Sequence, residues 1–422
     1  MLGRQLNTHQ QWLGRRLADL GYPVARQVAV SDAGSDIQQA VREALGRADL
    51  VITTGGLGPT ADDLTRDLIT QLLGRSLHED PVVLADIEAF FTQRRRPMPA
   101  RTRVQALVPK GAVVLRNAHG TAPGLVIEVK SNPFRPDGGR SWLILLPGPP
   151  RELQPMFTNQ VVPLIQEQFP LDAPFVCRTL RTTGMGESMV EEKIAVPLKP
   201  LLDAGLELGF CAHVGEVDVR FVARGAAAEK AVREAEEIVR RLIGKHIFGA
   251  EDDQLEGVIV RALTARKQTL ALAESCTGGY ISHRLTNVPG ASAVLLAGLV
   301  TYSNAAKQAL LGVKPDTLAQ HGAVSEATAR EMAEGARWVT EADFAIAVTG
   351  IAGPAGGTET KPVGTVFIAL AGPDGTRVVH ALNPYDRETF KQVTSQQALE
   401  LLRRRLLRVE EPSPQEPTGG GR

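Results

Sequence analysis

An α/β protein of two or three domains is the fold class this sequence predicts, and three observations lead to it. The chain has 422 residues, and domains run to roughly 150 residues each. Residues 1–170 and 251–409 alternate helix-period stretches with short strand-like runs, the rhythm of a sheet covered by helices. Between them, over 171–250, the rhythm changes to half-buried strands and a helix, a small α+β module.

In the first segment Leu6, Leu13, Leu17 and Leu20 form a helical stripe that Gly21 closes. Val28-Ala29-Val30 reads as a short strand, Ile37, Val41, Ala44 and Leu45 as a second helix, and Leu50–Thr53 as a buried strand. Leu64, Leu68, Ile69, Leu72 and Leu73 mark a third helix, and Asp80-Pro81 opens a fourth with a cap and a first-turn proline. This order predicts a mostly parallel sheet. Leu125–Val129 and Trp142–Leu146 flank a polar loop rich in Pro and Gly and read as a hairpin.

In the middle module Phe175–Thr183, Leu206–Cys211 and Val217–Ala223 are strand-like, and a helix carries Val232, Ile238, Val239, Leu242 and Ile243. The last segment offers a helix over 255–266, a strand Thr269–Glu274, a helix after Gly279, and strands Leu295–Tyr302, Phe344–Thr349 and Val363–Leu370. The tail 410–422, with Pro-Ser-Pro and Gly-Gly-Gly, is expected to be disordered.

Composition narrows the function classes. The 47 basic and 47 acidic residues cancel, which argues against a chain-wide polyanion partner. No apolar run approaches the roughly 18 residues of a membrane span, and Leu2-Gly3-Arg4-Gln5 lacks the order of a signal peptide. Cys177, Cys211 and Cys276 are too dispersed for a disulfide framework or a zinc site, so a reduced, cytoplasmic setting is expected. The two basic runs, Arg94-Arg95-Arg96 and Arg403-Arg404-Arg405, read as solvated helix faces, and nucleic acid is not expected as a partner.

Chemistry concentrates in the last segment. Ala273-Glu274-Ser275-Cys276-Thr277-Gly278-Gly279 sits where a strand ends and a helix begins. A side chain there stands at the carboxyl edge of the sheet, beside a helix start expected to offer free N–H groups. Ser275 could be a nucleophile, or Ser275 and Thr277 could simply cap the helix. Val300–Lys307 shifts that balance, because Lys307 falls early in another helix near the same edge. A buried lysine with a lowered pKa can take a serine proton, and Tyr302 could position either group. Thr349-Gly350-Ile351-Ala352-Gly353-Pro354 is a glycine-rich loop after a strand, and Arg387 with Lys391 could meet a phosphate.

Together these segments resemble the CinA family (competence-damage-inducible protein A), the nicotinamide-nucleotide amidases. The matching motifs are Ala273–Gly279, Val300–Lys307, His321–Glu326, Thr349–Thr358 and Lys361–Thr365, in family order. The resemblance implies hydrolysis of the carboxamide of nicotinamide mononucleotide to nicotinic acid mononucleotide and ammonia. By position it makes Ser275 the nucleophile and Lys307 its base, supported by Tyr302 and Thr277. Glu274, Gly278, Gly279, Thr349, Gly350, Gly353 and Arg387 would bind substrate, with no cofactor. Asn383-Pro384-Tyr385 before Asp386-Arg387 departs from the family, which usually has a glycine beside the aspartate.

The first segment has its own turn, Thr53–Thr65, in which Gly55, Gly56, Gly58 and Thr60 could admit phosphates while Asp62 and Asp63 hold a divalent metal. An aspartate at a helix start is equally an ordinary cap. With the loops Asn117–Gly124 and Leu146–Glu152 it resembles the family's molybdopterin-binding-like three-layer domain, which implies metal-dependent ADP-ribose pyrophosphatase activity. The middle module matches the family's KH-type domain by position but has no G-x-x-G loop, so RNA binding is not argued. The family normally begins with a strand and a G-T-E-L-L-x-G turn that this sequence lacks, and an upstream start is expected. A homodimer acting on pyridine nucleotides is the partner expectation. The alternative is a pterin-binding or competence-associated scaffold with vestigial enzyme sites.

Overall fold

The computed structural model describes residues 6–407; the first five residues and the expected disordered tail lie outside them. The chain divides into two compact units, one up to Asp172 and one from Ala173.

In the first unit the helices Thr8–Asp19, Gly34–Leu45, Thr65–Leu72 and Pro81–Gln93 occur where the apolar period predicts, except that Leu6 of the first stripe precedes its helix and is 84 % exposed. Asp80 caps the fourth, accepting from Val82 N at 2.9 Å and Val83 N at 3.1 Å. The sheet runs Leu50–Thr54, Ser141–Leu146, Gly124–Val129, Val113–Leu115. Only the first pair is parallel, so the expected mostly parallel sheet is corrected. The predicted hairpin accounts for this, because a direct connection between neighbouring strands forces them antiparallel. Side chains alternate across it. Leu125, Ile127, Leu143 and Leu145 pack with Val41, Leu45, Ile69 and Ile87, while Val126, Ile144 and Leu146 pack with Leu13, Leu17, Leu153 and Phe157. Both faces are covered, which makes three layers. The strand expected at Val28-Ala29-Val30 does not form. Val28 is 57 % exposed there, with no ladder to pair into.

In the second unit the middle module has an antiparallel sheet in the order Ile247–Ala250, Phe175–Thr183, Glu216–Arg224, Glu207–His213. Helices Glu187–Asp203 and Ala228–Ile243 share one core with it. The first of these helices contains Pro197 and Pro200, residues that disfavour a helix interior. Its signal was the apolar spacing of Val190, Ile194 and Leu198, all fully buried. Both prolines are exposed, where water can satisfy the carbonyls they leave unpaired.

The last domain has a five-stranded sheet in the order Leu295–Val300, Leu270–Glu274, Phe344–Gly350, Thr365–Gly372, Gly375–Leu382. The first three strands are parallel and end together at one edge, with Glu274 level with Val300 and Val348. Leu270 and Leu272 face a core that includes Leu399 and Leu402 of the helix Arg387–Leu407. Ala271 and Ala273 face the helix Glu326–Thr340, which approaches with its own Ala329, Ala333 and Ala336.

The second basic run is also corrected. Arg403 and Arg404 are buried, and Glu400 pairs with both at 2.6 Å. Arg403 also donates to Lys245 O at 2.7 Å, tying the last helix to the middle module. Arg94, Arg95 and Arg96 are exposed as expected, but they follow the helix Pro81–Gln93 and do not lie on its face. Among the described residues no helix is long and apolar enough to cross a membrane.

Candidate active site

Ser275 follows the strand Leu270–Glu274, and its N–H donates to Val348 O of the neighbouring strand at 3.0 Å. The next strand ends at Val300, and Thr301 N donates to Glu274 O at 2.9 Å. Ser303 then caps the helix Asn304–Leu311, its Oγ accepting from Ala306 N at 3.1 Å. These contacts carry Lys307 to the carboxyl edge of the sheet. Its Nζ stands 3.1 Å from Ser275 Oγ and donates to Thr301 O at 2.8 Å and Tyr302 O at 3.4 Å.

Lys307 is 1 % exposed and has no carboxylate partner among the described residues. Burial therefore pulls its pKa below the ordinary 10.5, only partly opposed by the nearby Cys276. Cys276 itself is buried in the apolar core, and burial pushes its thiol up to about 12. At neutral pH that sulfur is protonated and packed away, while Ser275 keeps a hydrogen-bonding base beside it.

Glu274 differs from its expected substrate-binding role. It is fully buried, and five donors fill its carboxylate. Oε2 accepts from Thr277 Oγ1 at 2.7 Å, Gly279 N at 3.0 Å and Ile281 N at 3.1 Å. Oε1 accepts from Ser282 N at 2.8 Å and Ser282 Oγ at 2.6 Å. The N–H groups expected to be free for an anion are thus taken by the protein's own carboxylate. A buried carboxylate needs such donors, and the helix start is the nearest source. Gly278 and Gly279, at φ +61° and +93°, let the chain double back for this. Thr277, fully buried, braces the same turn.

Around this floor lies a more open rim. Tyr302 is 62 % exposed, and its hydroxyl accepts from Arg387 Nη2 at 2.9 Å. Arg387 Nη1 donates to Gly353 O at 3.0 Å. Tyr302 therefore joins floor and rim, with its carbonyl toward Lys307 and its hydroxyl toward Arg387. Asp386 fixes Arg387 in the first helical turn by accepting from Glu388 N and Thr389 N. The departing Asn383 is buried and bonds Gln397 Oε1 at 2.8 Å. Thr349 Oγ1 donates to Ala323 O at 2.7 Å, and a Cβ on Gly350 would come within 2.7 Å of Thr365 O, so both serve packing. Lysine's backbone partners, Thr301 O and Tyr302 O, carried no signal in the sequence.

In the first unit Gly55 N donates to Leu146 O at 2.9 Å, joining two of the small-residue loops. Gly55 and Gly56 adopt φ +88° and +69°. Asp63 accepts from Thr60 N at 3.0 Å and bonds the Thr60 hydroxyl, and a Cβ on Gly58 would collide with its carboxylate. Asp62 is exposed. Among the described residues no group of three His, Cys, Asp or Glu side chains is placed to hold a metal. Asp62 and Asp63 thus form a turn and do not amount to a donor set for a divalent ion.

Residues 1–167 match the probable molybdopterin binding domain, 177–249 the damage-inducible protein CinA KH domain, and 252–406 the CinA C-terminal domain. A CinA-like protein of Akkermansia muciniphila is 44 % identical over 94 % of this chain and 93 % of its own. Putative competence-damage inducible proteins of Moorella thermoacetica and Caldicellulosiruptor bescii are 43 % and 42 % identical. Each of these two comparisons covers 96 % of this chain, and they span 96 % and 97 % of the respective relatives. With all three domains matched in order and relatives this similar along nearly the whole length, the chain belongs to the CinA family.

Proposed function

We propose that the last domain hydrolyses the carboxamide of nicotinamide mononucleotide, giving nicotinic acid mononucleotide and ammonia. The observation that carries this reading is the 3.1 Å approach of a buried, carboxylate-free Lys307 to Ser275 Oγ. In its neutral form Lys307 takes the Ser275 proton as Oγ attacks the carboxamide carbon. The resulting Lys307 ammonium returns that proton to the departing nitrogen, which leaves as ammonia, and the acyl group remains as an ester on Ser275. Water attacks the ester carbon with Lys307 again as base, and the proton passes to Ser275 Oγ as the acid leaves. Arg387, exposed on the rim, supplies the guanidinium for the substrate phosphate. For the first domain no metal-dependent step is proposed.

The test is incubation of the full chain with nicotinamide mononucleotide, following ammonia and nicotinic acid mononucleotide together. Equimolar appearance of both, lost in Ser275→Ala, is the expected result. No ammonia from the wild type, or undiminished release from Ser275→Ala, would overturn it.

A further inference from the structure

The second unit contains an open cleft of about 400 Å³ that includes none of Ser275, Lys307, Tyr302 or Arg387. One wall is the hairpin of the middle module, with His213, Val214 and Glu216; the other comes from the last domain, with Tyr280, His283 and Gln392. Its size falls within the range of small-molecule sites, about 300–1,000 Å³.

Beneath the cleft two guanidiniums meet three carboxylates, and His213 Nε2 lies 3.1 Å from Asp218 Oδ2. Arg181 pairs with Glu216 at 2.5 Å and Asp218 at 2.6 Å, and Arg284 pairs with Glu256 at 2.6 Å. Gln396 bridges the two groups, donating to Glu216 Oε1 and accepting from Arg284 Nη2, each at 2.8 Å. With carboxylates outnumbering guanidiniums, the site does not select a polyanion. The lining also includes the carboxamides of Gln254, Asn287 and Gln392 and the Tyr280 and His283 rings, 6.3 Å apart and tilted by 33°. Asn287 Nδ2 lies 3.2 Å from His283 Nε2, and Lys391 Nζ 5.8 Å from the Tyr280 ring centroid. Carboxamides offer a donor and an acceptor together, and ring faces offer stacking. That combination suits a planar, uncharged nitrogen heterocycle with hydroxyl groups attached.

We propose that this cleft binds a nucleoside and that its occupancy bears on the amidase turn. The helix Tyr280–Thr286 is the link, because Tyr280, His283 and Arg284 line the cleft while Ile281 N and Ser282 N hold Glu274, next to Ser275. The rate effect rests on the amidase reading; the binding site does not.

Calorimetric titration of the full chain with adenosine and with uridine, each with and without saturating nicotinamide mononucleotide, tests it. The expected result is saturable binding of at least one nucleoside at one per chain, unchanged by the mononucleotide. Val214→Trp and Asn287→Trp should each weaken it at least tenfold while keeping wild-type thermal unfolding. The bound nucleoside should change kcat of the wild type at least twofold and leave kcat of both variants unchanged. Absence of saturable binding, binding that survives both tryptophans, or displacement by the mononucleotide would overturn the site. Binding without a kcat change would overturn the link to the turn. If the chain releases no ammonia from the mononucleotide, the amidase reading fails and the titrations still decide the cleft.

Discussion

Two strand-to-helix turns rich in glycine and acidic residues, Glu274–Gly279 in the last domain and Gly55–Asp63 in the first, look alike in sequence but differ in the fold. In the last domain the carboxylate is wholly buried and saturated by five donors, and a buried lysine reaches the adjoining serine. In the first, Asp62 is exposed and Asp63 bonds the neighbouring Thr60. Burial separates them: in the exposed first turn hydrogen bonding holds the Asp62 carboxyl below its ordinary value, whereas in the second desolvation lowers the proton affinity of a lysine and raises that of a thiol.

The largest expected effect that would break this comparison concerns the nucleophile. Ser275→Ala should lower amidase kcat by at least about a thousandfold, while Cys276→Ala keeps most of it. The reverse pattern in the ammonia assay would move the chemistry to the thiol. Next, Lys307→Arg should be nearly as damaging as Lys307→Ala, each costing roughly 10²–10⁴-fold, because arginine keeps the charge but does not deprotonate. Near-normal turnover in the arginine variant would make Lys307 a binding group.

Glu274→Gln sharpens the contrast through stability. The glutamine amide cannot accept where its own NH₂ stands, so buried donors go unpaired at about 1–3 kcal/mol each. Denaturant unfolding of the second unit should show that loss, whereas Asp63→Asn should change the first by about 0.5 kcal/mol or less. Equal losses would erase the distinction drawn from burial.

The pH dependence follows from the lowered pKa of Lys307. Since the folded chain releases this proton more readily than the unfolded one, the unfolded state binds more protons between the two pKa values. Stability relative to Lys307→Met should therefore rise with pH up to the ordinary lysine value of 10.5 and level off above it. Amidase kcat/KM should rise over the lower part of that window as the neutral amine forms, and a flat profile would count against a lysine base. The smallest effect is expected for Asp62→Asn, which should leave amidase turnover unchanged within about twofold, being an exposed substitution remote in sequence from Ser275.

Much of this was legible in the sequence. Leu13 and Leu17, Val41 and Leu45, and the alternating Val217, Val219 and Phe221 are buried as their periods imply. The Ser275 and Lys307 motifs, 32 positions apart, meet because each follows a parallel strand ending at the same sheet edge. Those signals are local, set by which face of a helix or strand is apolar.

The sequence by itself therefore determined the alternation of elements, the three-part division and the residue types at the carboxyl edge of the last sheet. The tertiary structure alone decided which polar groups are buried. Glu274 turns inward, Arg403 and Arg404 vanish beneath the middle module, and the helix carrying Pro197 and Pro200 forms because Val190, Ile194 and Leu198 find a core. Val28, equally apolar in pattern, finds no strand partner and stays exposed. The reason is that a charged or apolar side chain has one identity but several free energies, set by what other elements bring against it from far along the chain.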